Sequence, residues 1–312
     1  MTASRRPPRS APPAGARPAG EPLPPAGTAS FDHPDQLRRA LTGVRALLID
    51  LDGVILSKGA PLPGVVDALR SLRRRKMPFL VATNASLLGR RALSERLHAL
   101  GLEVEPERIV SALSASAAYT ASHFPGQPIY VLASRAAPEE FAGQLVLSPD
   151  EASAPGAMAA AVVVGDASSD FTFASLNAAF RLLRGGARFV AMHRNPWWLT
   201  ADGPTLDAGA FVRALEFATR RHATLVGKPN PAFFTGAVAS LGDGRLRREE
   251  VAMVGDDVWT DVVGAQRAGL RGILVLTGRH GLEEAAEASN HPRGGRPDAV
   301  TASLSSLVVA LD

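Results

Sequence analysis

Cysteine is missing from all 312 residues, which excludes disulfides and thiolate metal centres. That absence fits a reducing, cytoplasmic setting. Aromatic residues make up 5% of the chain and do not interleave with arginine in the stacking platforms that single-stranded nucleic acids need. No apolar run approaches the roughly 18 residues of a membrane-spanning helix. The seven histidines show no metal-ligand spacing, and no internal repeat of fixed period is evident. Nucleic acid and membrane are therefore not expected partners.

Acidic residues are scarce at the start. Arg5, Arg6, Arg9 and Arg17 face Glu21 alone in the first thirty residues, a local +3 that leaves about +1 for the rest of a +4 chain. The basic isoelectric point thus says little about the folded part. The same stretch holds eight of the 24 prolines and few large apolar groups. It cannot bury enough surface to offset chain entropy, so residues 1–35 read as a disordered Pro/Ala/Arg-rich tail. An Arg-rich, acid-poor start also suits an organelle transit segment, but composition favours the loose tail.

The chain as a whole has a composition ordinary for a soluble globular protein, with 46% hydrophobic and 21% charged residues. Its length exceeds that of most single cores and points to two domains. Beyond the tail, strand and helix patterns alternate. The apolar run from Val44 to Ile49 reads as a buried strand, and Val65, Leu69 and Leu72 as one face of a helix ending in Arg73–Lys76. Pro78–Ala82 is a second buried strand. Leu93, Leu97 and Leu100 mark the next helix, with Gly101 as its stop. Further strands are expected at 129–132, 161–164, 189–192, 224–227, 251–255, 272–276 and 298–300. Helices are expected near 173–185, around Phe211 and Leu215, and around Leu304 and Leu307. Such alternation implies right-handed crossovers and parallel sheets.

Polar residues gather where these strands end. Asp50 and Asp52 follow the first strand, with Gly53 free to turn the chain. Thr83-Asn84 closes the second, Lys228 sits in Val226-Gly227-Lys228-Pro229, and Gly255-Asp256-Asp257 precedes Asp261. Ligands of open α/β sheets bind beyond the carboxyl ends of the strands. Taken singly, the Asp50-Leu51-Asp52-Gly53 acids could simply cap the next helix. An acid pair, a hydroxyl, a lysine and a second acid pair, each at a strand end and in this order, argue for one shared functional crevice. Gly165-Asp166 with Asp170 mimics the last motif but precedes Lys228, so it reads as a loop of a second layer with Asp170 capping a helix.

These four ordered motifs resemble those of the haloacid dehalogenase superfamily of phosphatases. The resemblance runs from about residue 45 to 280 and is to the branch with a large cap between the second and third motifs. That branch includes nitrophenyl phosphatase-like and phospholysine phosphohistidine inorganic pyrophosphate phosphatase-like proteins. His193-Arg194-Asn195, Thr200–Gly203 and Leu206–Phe211 are similar to the latter group. The resemblance implies a Rossmann-like α/β core over 40–112 and 206–312, with an inserted α/β cap over 113–205. It implies Asp50 as nucleophile and Asp52 as acid and base. Mg²⁺ would be held by Asp50, the backbone carbonyl of Asp52, and Asp256. Thr83 and the N–H of Asn84 would hold phosphate oxygens and Lys228 would neutralise charge. Asp257 or Asp261 would help through water or by orienting Lys228. His193, Trp197 and Trp198 fall in the cap, as a specificity wall or as packing, and Ser57-Lys58 on a flap. The expected partner is a small phosphorylated substrate, with phospho-amino acids and pyrophosphate open, and a homodimer is allowed. A catalytically silent phosphate binder on the same fold is the competing reading.

Overall fold

The computed structural model describes residues 34–134, 137–200, 203–242 and 244–311. The expected tail falls almost wholly outside them. The first described element, helix Pro34–Leu41, packs Leu37, Ala40 and Leu41 into the core.

A six-stranded parallel sheet forms the first layer. Its order is Ala299–Thr301, Arg271–Val275, Val251–Gly255, Ala46–Ile49, Phe79–Thr83, Ile109–Ser111. The buried apolar runs follow from burial on both faces. Along Ala46–Ile49, Leu47 and Ile49 enter one apolar cluster while Ala46 and Leu48 enter another on the opposite side. The first cluster takes its helical partners from Val65–Arg74, Arg90–Ala99 and Leu304–Val309. The second takes Phe233, Phe234 and Ala237 of helix Pro231–Ala239. Ala46–Ile49 has Phe79–Thr83 on one side and Val251–Gly255 on the other, so the chain order reverses there. That reversal opens a crevice at the carboxyl ends, where Asp50, Thr83 and Asp256 emerge.

A five-stranded parallel sheet builds the second layer, in the order Thr224–Leu225, Arg188–Ala191, Ala161–Val164, Pro128–Leu132, Leu145–Val146. Helices Ala112–His123, Phe173–Arg184 and Ala208–Thr219 pack on it. It extends further along the chain than the sequence pattern suggests. Thr224 and Leu225 pair with Val190 and Ala191, and Val212 and Leu215 join its apolar cluster. The stretch from 206 to 225, assigned to the core from sequence, therefore packs with the inserted layer. A two-residue strand carries too little alternation to reveal its sheet. Asp170 also differs from expectation: Thr172 caps helix Phe173–Arg184, sharing reciprocal bonds with Ser175.

The two layers are pinned along one loop. Ser134 Oγ donates to the carbonyl of Leu87 at 2.5 Å, Arg90 binds Glu140 through its main-chain N–H and guanidinium, and Arg91 pairs with Glu139. His193, buried to 2% exposure, lies 3.0 Å from Ser86 Oγ, and the Asp166 N–H donates to the same hydroxyl. Burial pushes the His193 imidazole down to about 4 despite the nearby Asp166, so it stays neutral at physiological pH.

Candidate active site

Four strand ends meet around one ammonium group. Lys228 Nζ lies 2.8 Å from Asp50 Oδ1 and 2.6 Å from Asp261 Oδ1, and its side chain is 2% exposed. Asp50, Asp256 and Asp261 bring carboxylate oxygens within 4.8 Å of one another, all three buried. Such crowding is set by local backbone. Asp50 continues strand Ala46–Ile49 and donates its N–H to Val254. Gly53, at φ +79°, lies so near Asp256 that a Cβ there would come within 2.0 Å of its Oδ2, and a Cβ at Gly278 within 1.9 Å. Asp256 thus sits between two glycines that cannot be enlarged without moving it.

Electrostatics show what the cluster lacks. Burial raises Asp50 to about 6 against the pull of Lys228, with Asp256 adding to the rise. Asp256 goes up to about 7 through burial and Asp261, opposed by the Arg279 N–H. Asp261 also reaches about 7, through burial and Asp50, opposed by Lys228. Burial draws Lys228 down, but Asp261 and Asp50 outweigh it and hold it above the ordinary lysine range. Three buried acids against one ammonium leave two negative charges uncompensated when all ionise. A divalent ion supplies that difference, and carboxylate oxygens are the donors that hard ions prefer.

Sequence comparison agrees with this geometry. Residues 47–144 match the profile of the haloacid dehalogenase-like hydrolases, and residues 225–307 match a HAD-hydrolase-like profile. Haloacid dehalogenase-like hydrolase domain-containing protein 2 of Bos taurus is 38% identical over 243 residues, covering 78% of this chain and 87% of that protein. This chain belongs to the haloacid dehalogenase-like hydrolases. The human phospholysine phosphohistidine inorganic pyrophosphate phosphatase is 30% identical over 247 residues, covering 77% of this hydrolase and 86% of the relative. Among solved structures, the 4-nitrophenylphosphatase of Thermotoga maritima superposes with a TM-score of 0.77 at 28% identity, over 88% of this chain and 99% of that one.

Within the hydrolase the remaining expected residues divide. Asp52 is exposed and stands outside the carboxylate cluster. The crevice walls restrict its hydration and raise it above the usual carboxylate range, opposed by Lys228 and Arg96. Thr83 is buried, and its hydroxyl accepts from the N–H of Ala85. The Asn84 side chain has a structural task that the motif does not disclose. Its Oδ1 accepts from Lys228 N–H at 2.9 Å and its Nδ2 donates to the Lys228 carbonyl at 3.1 Å. This amide clamp holds the lysine backbone as a neighbouring strand would. Replacing Asn84 with Ala removes both bonds in a partly buried place, so Tm should fall by a shift worth about 1–3 kcal/mol. A thermal melt with an unchanged midpoint would refute the clamp.

Asp257 and Asp261 part company. Asp261 holds the lysine, whereas Asp257 caps the π-type turn Val258–Val263 through the N–H groups of Trp259 and Thr260, each at 2.9 Å. Asp257 also pairs with Arg279 at 3.2 Å. The segment after strand Arg271–Val275 is a part of the site that sequence reading missed. Thr277 Oγ1 donates to the Gly53 carbonyl, Arg279 N–H to Asp256 Oδ2, and His280 N–H to the Asp256 carbonyl. The signal was available, because Thr277-Gly278-Arg279-His280 is one more polar run at a strand end. Leu56–Ser57 and Ala60–Pro61 form a short hairpin beside the first motif, where Ser57-Lys58 is expected on a flap. Trp197 and Trp198 lie half-exposed on hairpin Trp197–Thr200/Gly203–Leu206 of the inserted segment.

Proposed function

We propose that this hydrolase cleaves small phosphate monoesters through an aspartyl-phosphate intermediate, with Mg²⁺ bound among its acids. The observation that carries the reading is the ammonium of Lys228 at 2.8 Å from Asp50 beside two further buried carboxylates. In this scheme the Asp50 carboxylate attacks phosphorus while the ester P–O bond breaks. Asp52, raised above the usual range, gives its proton to the departing oxygen. Asp52 then takes a proton from water as that water attacks the acyl phosphate, releasing inorganic phosphate and restoring Asp50. Lys228 offsets the charge gathered where an anionic nucleophile meets an anionic phosphate, which otherwise keeps them apart. Thr83 and the N–H of Asn84 stand at the neighbouring strand end to take phosphate oxygens.

Asp50, Asp256 and the backbone carbonyl of Asp52 are assigned to the metal. When bound, Mg²⁺ supplies charge neutralisation and fixes the phosphate against the nucleophile. Hydrolysis of p-nitrophenyl phosphate should stop in excess EDTA and return with added Mg²⁺. Activity indifferent to chelation would overturn the metal assignment. The substrate itself is read from phosphate release across a panel of sugar phosphates, phospho-amino acids and pyrophosphate. A silent phosphate binder would release none, and the presence of Asp52, a second acid that a binder would not need, favours turnover over mere binding.

A further inference from the structure

Cap and core also meet at a second place, through one arginine. Arg279 belongs to the core loop that follows strand Arg271–Val275. Its main-chain N–H donates to Asp256 Oδ2 at 2.7 Å, and its Nη1 reaches Asp257 Oδ2 at 3.2 Å. The same guanidinium lies over the ring of Trp197, with Cζ 5.6 Å from the centroid. Trp197 begins the hairpin whose other arm ends at Leu206, next to Asp207, the residue capping helix Ala208–Thr219. The positive charge of Arg279 also reaches Asp207. Burial raises that acid to about 6, while the Ala208 N–H and Arg279 oppose the rise.

One side chain therefore touches an acid of the fourth motif and the base of the Trp197 hairpin, while its own backbone holds the proposed metal ligand. The fork geometry explains why an arginine suits this place. A planar guanidinium can stack on an indole with its face and bond a carboxylate with its edge, which a lysine ammonium does less well. Neither partner is sealed from water, since the side chain of Arg279 is 39% exposed and Trp197 48% exposed. The contact is thus able to form and break without opening a core.

We infer that Arg279 is a positioning residue that sets the Trp197 hairpin over the metal-binding acids, so that cap placement and substrate capture are coupled through it. The inference rests on the phosphatase reading of the site for its kinetic consequence, and on contact geometry alone for its structural one. Substrate capture needs the hairpin in place, whereas the chemical step needs Asp50, Asp52 and Lys228. Loss of the arginine side chain should therefore raise KM and spare kcat.

The test uses the full chain with p-nitrophenyl phosphate and Mg²⁺. Arg279→Met should raise KM about three- to ten-fold, the range expected for a lost exposed cation–π contact plus an ion pair, with kcat changed less than about two-fold. Arg279→Lys should recover part of the loss. Trp197→Ala should raise KM comparably, and combining it with Arg279→Met should add little, because the Arg279–Trp197 contact is already lost in either single variant. A fall in kcat at constant KM would place Arg279 with the chemistry instead and overturn the inference, as would KM effects that multiply. A second measurement does not involve turnover. With Trp198→Phe and Trp259→Phe, Trp197 is the sole indole among the chain's three tryptophans. Arg279→Met in that background should then increase acrylamide quenching of its fluorescence. Unchanged quenching would refute the contact. Changed quenching in a protein that hydrolyses no phosphate ester would support the contact while refuting the phosphatase reading.

Discussion

Asp50→Asn should abolish turnover of p-nitrophenyl phosphate, by about 10⁴-fold or more, and should leave the protein at least as stable as the parent at pH 8. The size follows from the role. An amide is a poor nucleophile toward phosphorus, and removing a covalent nucleophile leaves only binding and charge stabilisation behind. The stability half follows from crowding. Asp50 is one of three buried acids within 4.8 Å, compensated by a single lysine. Converting it to a neutral isostere removes one of the charges that burial disfavours and still offers an oxygen to Lys228. Residual hydrolysis near the parent rate would remove the nucleophile assignment. Collapse of the melting temperature with the activity would show instead that Asp50 holds the fold, and the loss of turnover would then say nothing about chemistry.

That a functional acid should weaken the fold explains which parts of this protein could be read in advance. Buried strands announce themselves, because Ala46–Ile49 and Val251–Gly255 are apolar on both faces and end abruptly in polar residues. The acids at those ends violate the same pattern, and a violated pattern is legible. Asp50, Asp256 and Lys228 could be assigned to one crevice once each was placed at a carboxyl end, with Asp261 only in a supporting place. What escaped is governed by side-chain direction and by partners distant in sequence. Asn84 turns its amide onto the backbone of Lys228, 144 residues away. Asp257 turns toward its own helical turn while Asp261 turns toward the lysine, although they are neighbours in one motif. Thr224–Leu225 joins the inserted sheet through two residues, below the length at which periodicity speaks. Arg279 escaped for a simpler reason: the polar run Thr277–His280 marks its loop but not its side chain, whose importance appears only where Trp197 arrives from the other layer.

Lys228→Met carries the second large effect, and its direction depends on pH. Lys228 is the ammonium bonded to both Asp50 and Asp261, and both acids are buried. Taking it away leaves them without a counter-charge, which costs about 3–5 kcal/mol for a broken buried pair while the acids remain ionised. The acids have an escape, since they can bind protons. In the parent, Asp50 is raised to about 6 and Asp256 and Asp261 to about 7. A raised carboxylate binds more protons folded than unfolded between its unfolded and folded pKa. Its contribution is therefore fully present below about pH 4 and lost as pH rises through about 6 to 7. The metal-free parent should accordingly melt at a higher temperature at pH 5 than at pH 8, and Mg²⁺ should stabilise it at pH 8 far more than at pH 5, where protons compete for the same oxygens. Lys228→Met should steepen that dependence: a small loss of Tm at pH 5, and at pH 8 a fall on the order of 10 °C. Turnover should drop about 10²–10³-fold, as for the loss of one preorganised charge at a reacting oxyanion. A Tm loss equal at both pH values would mean that Lys228 contributes packing rather than charge. The electrostatic account of the site would then fail even if the rate fell as expected.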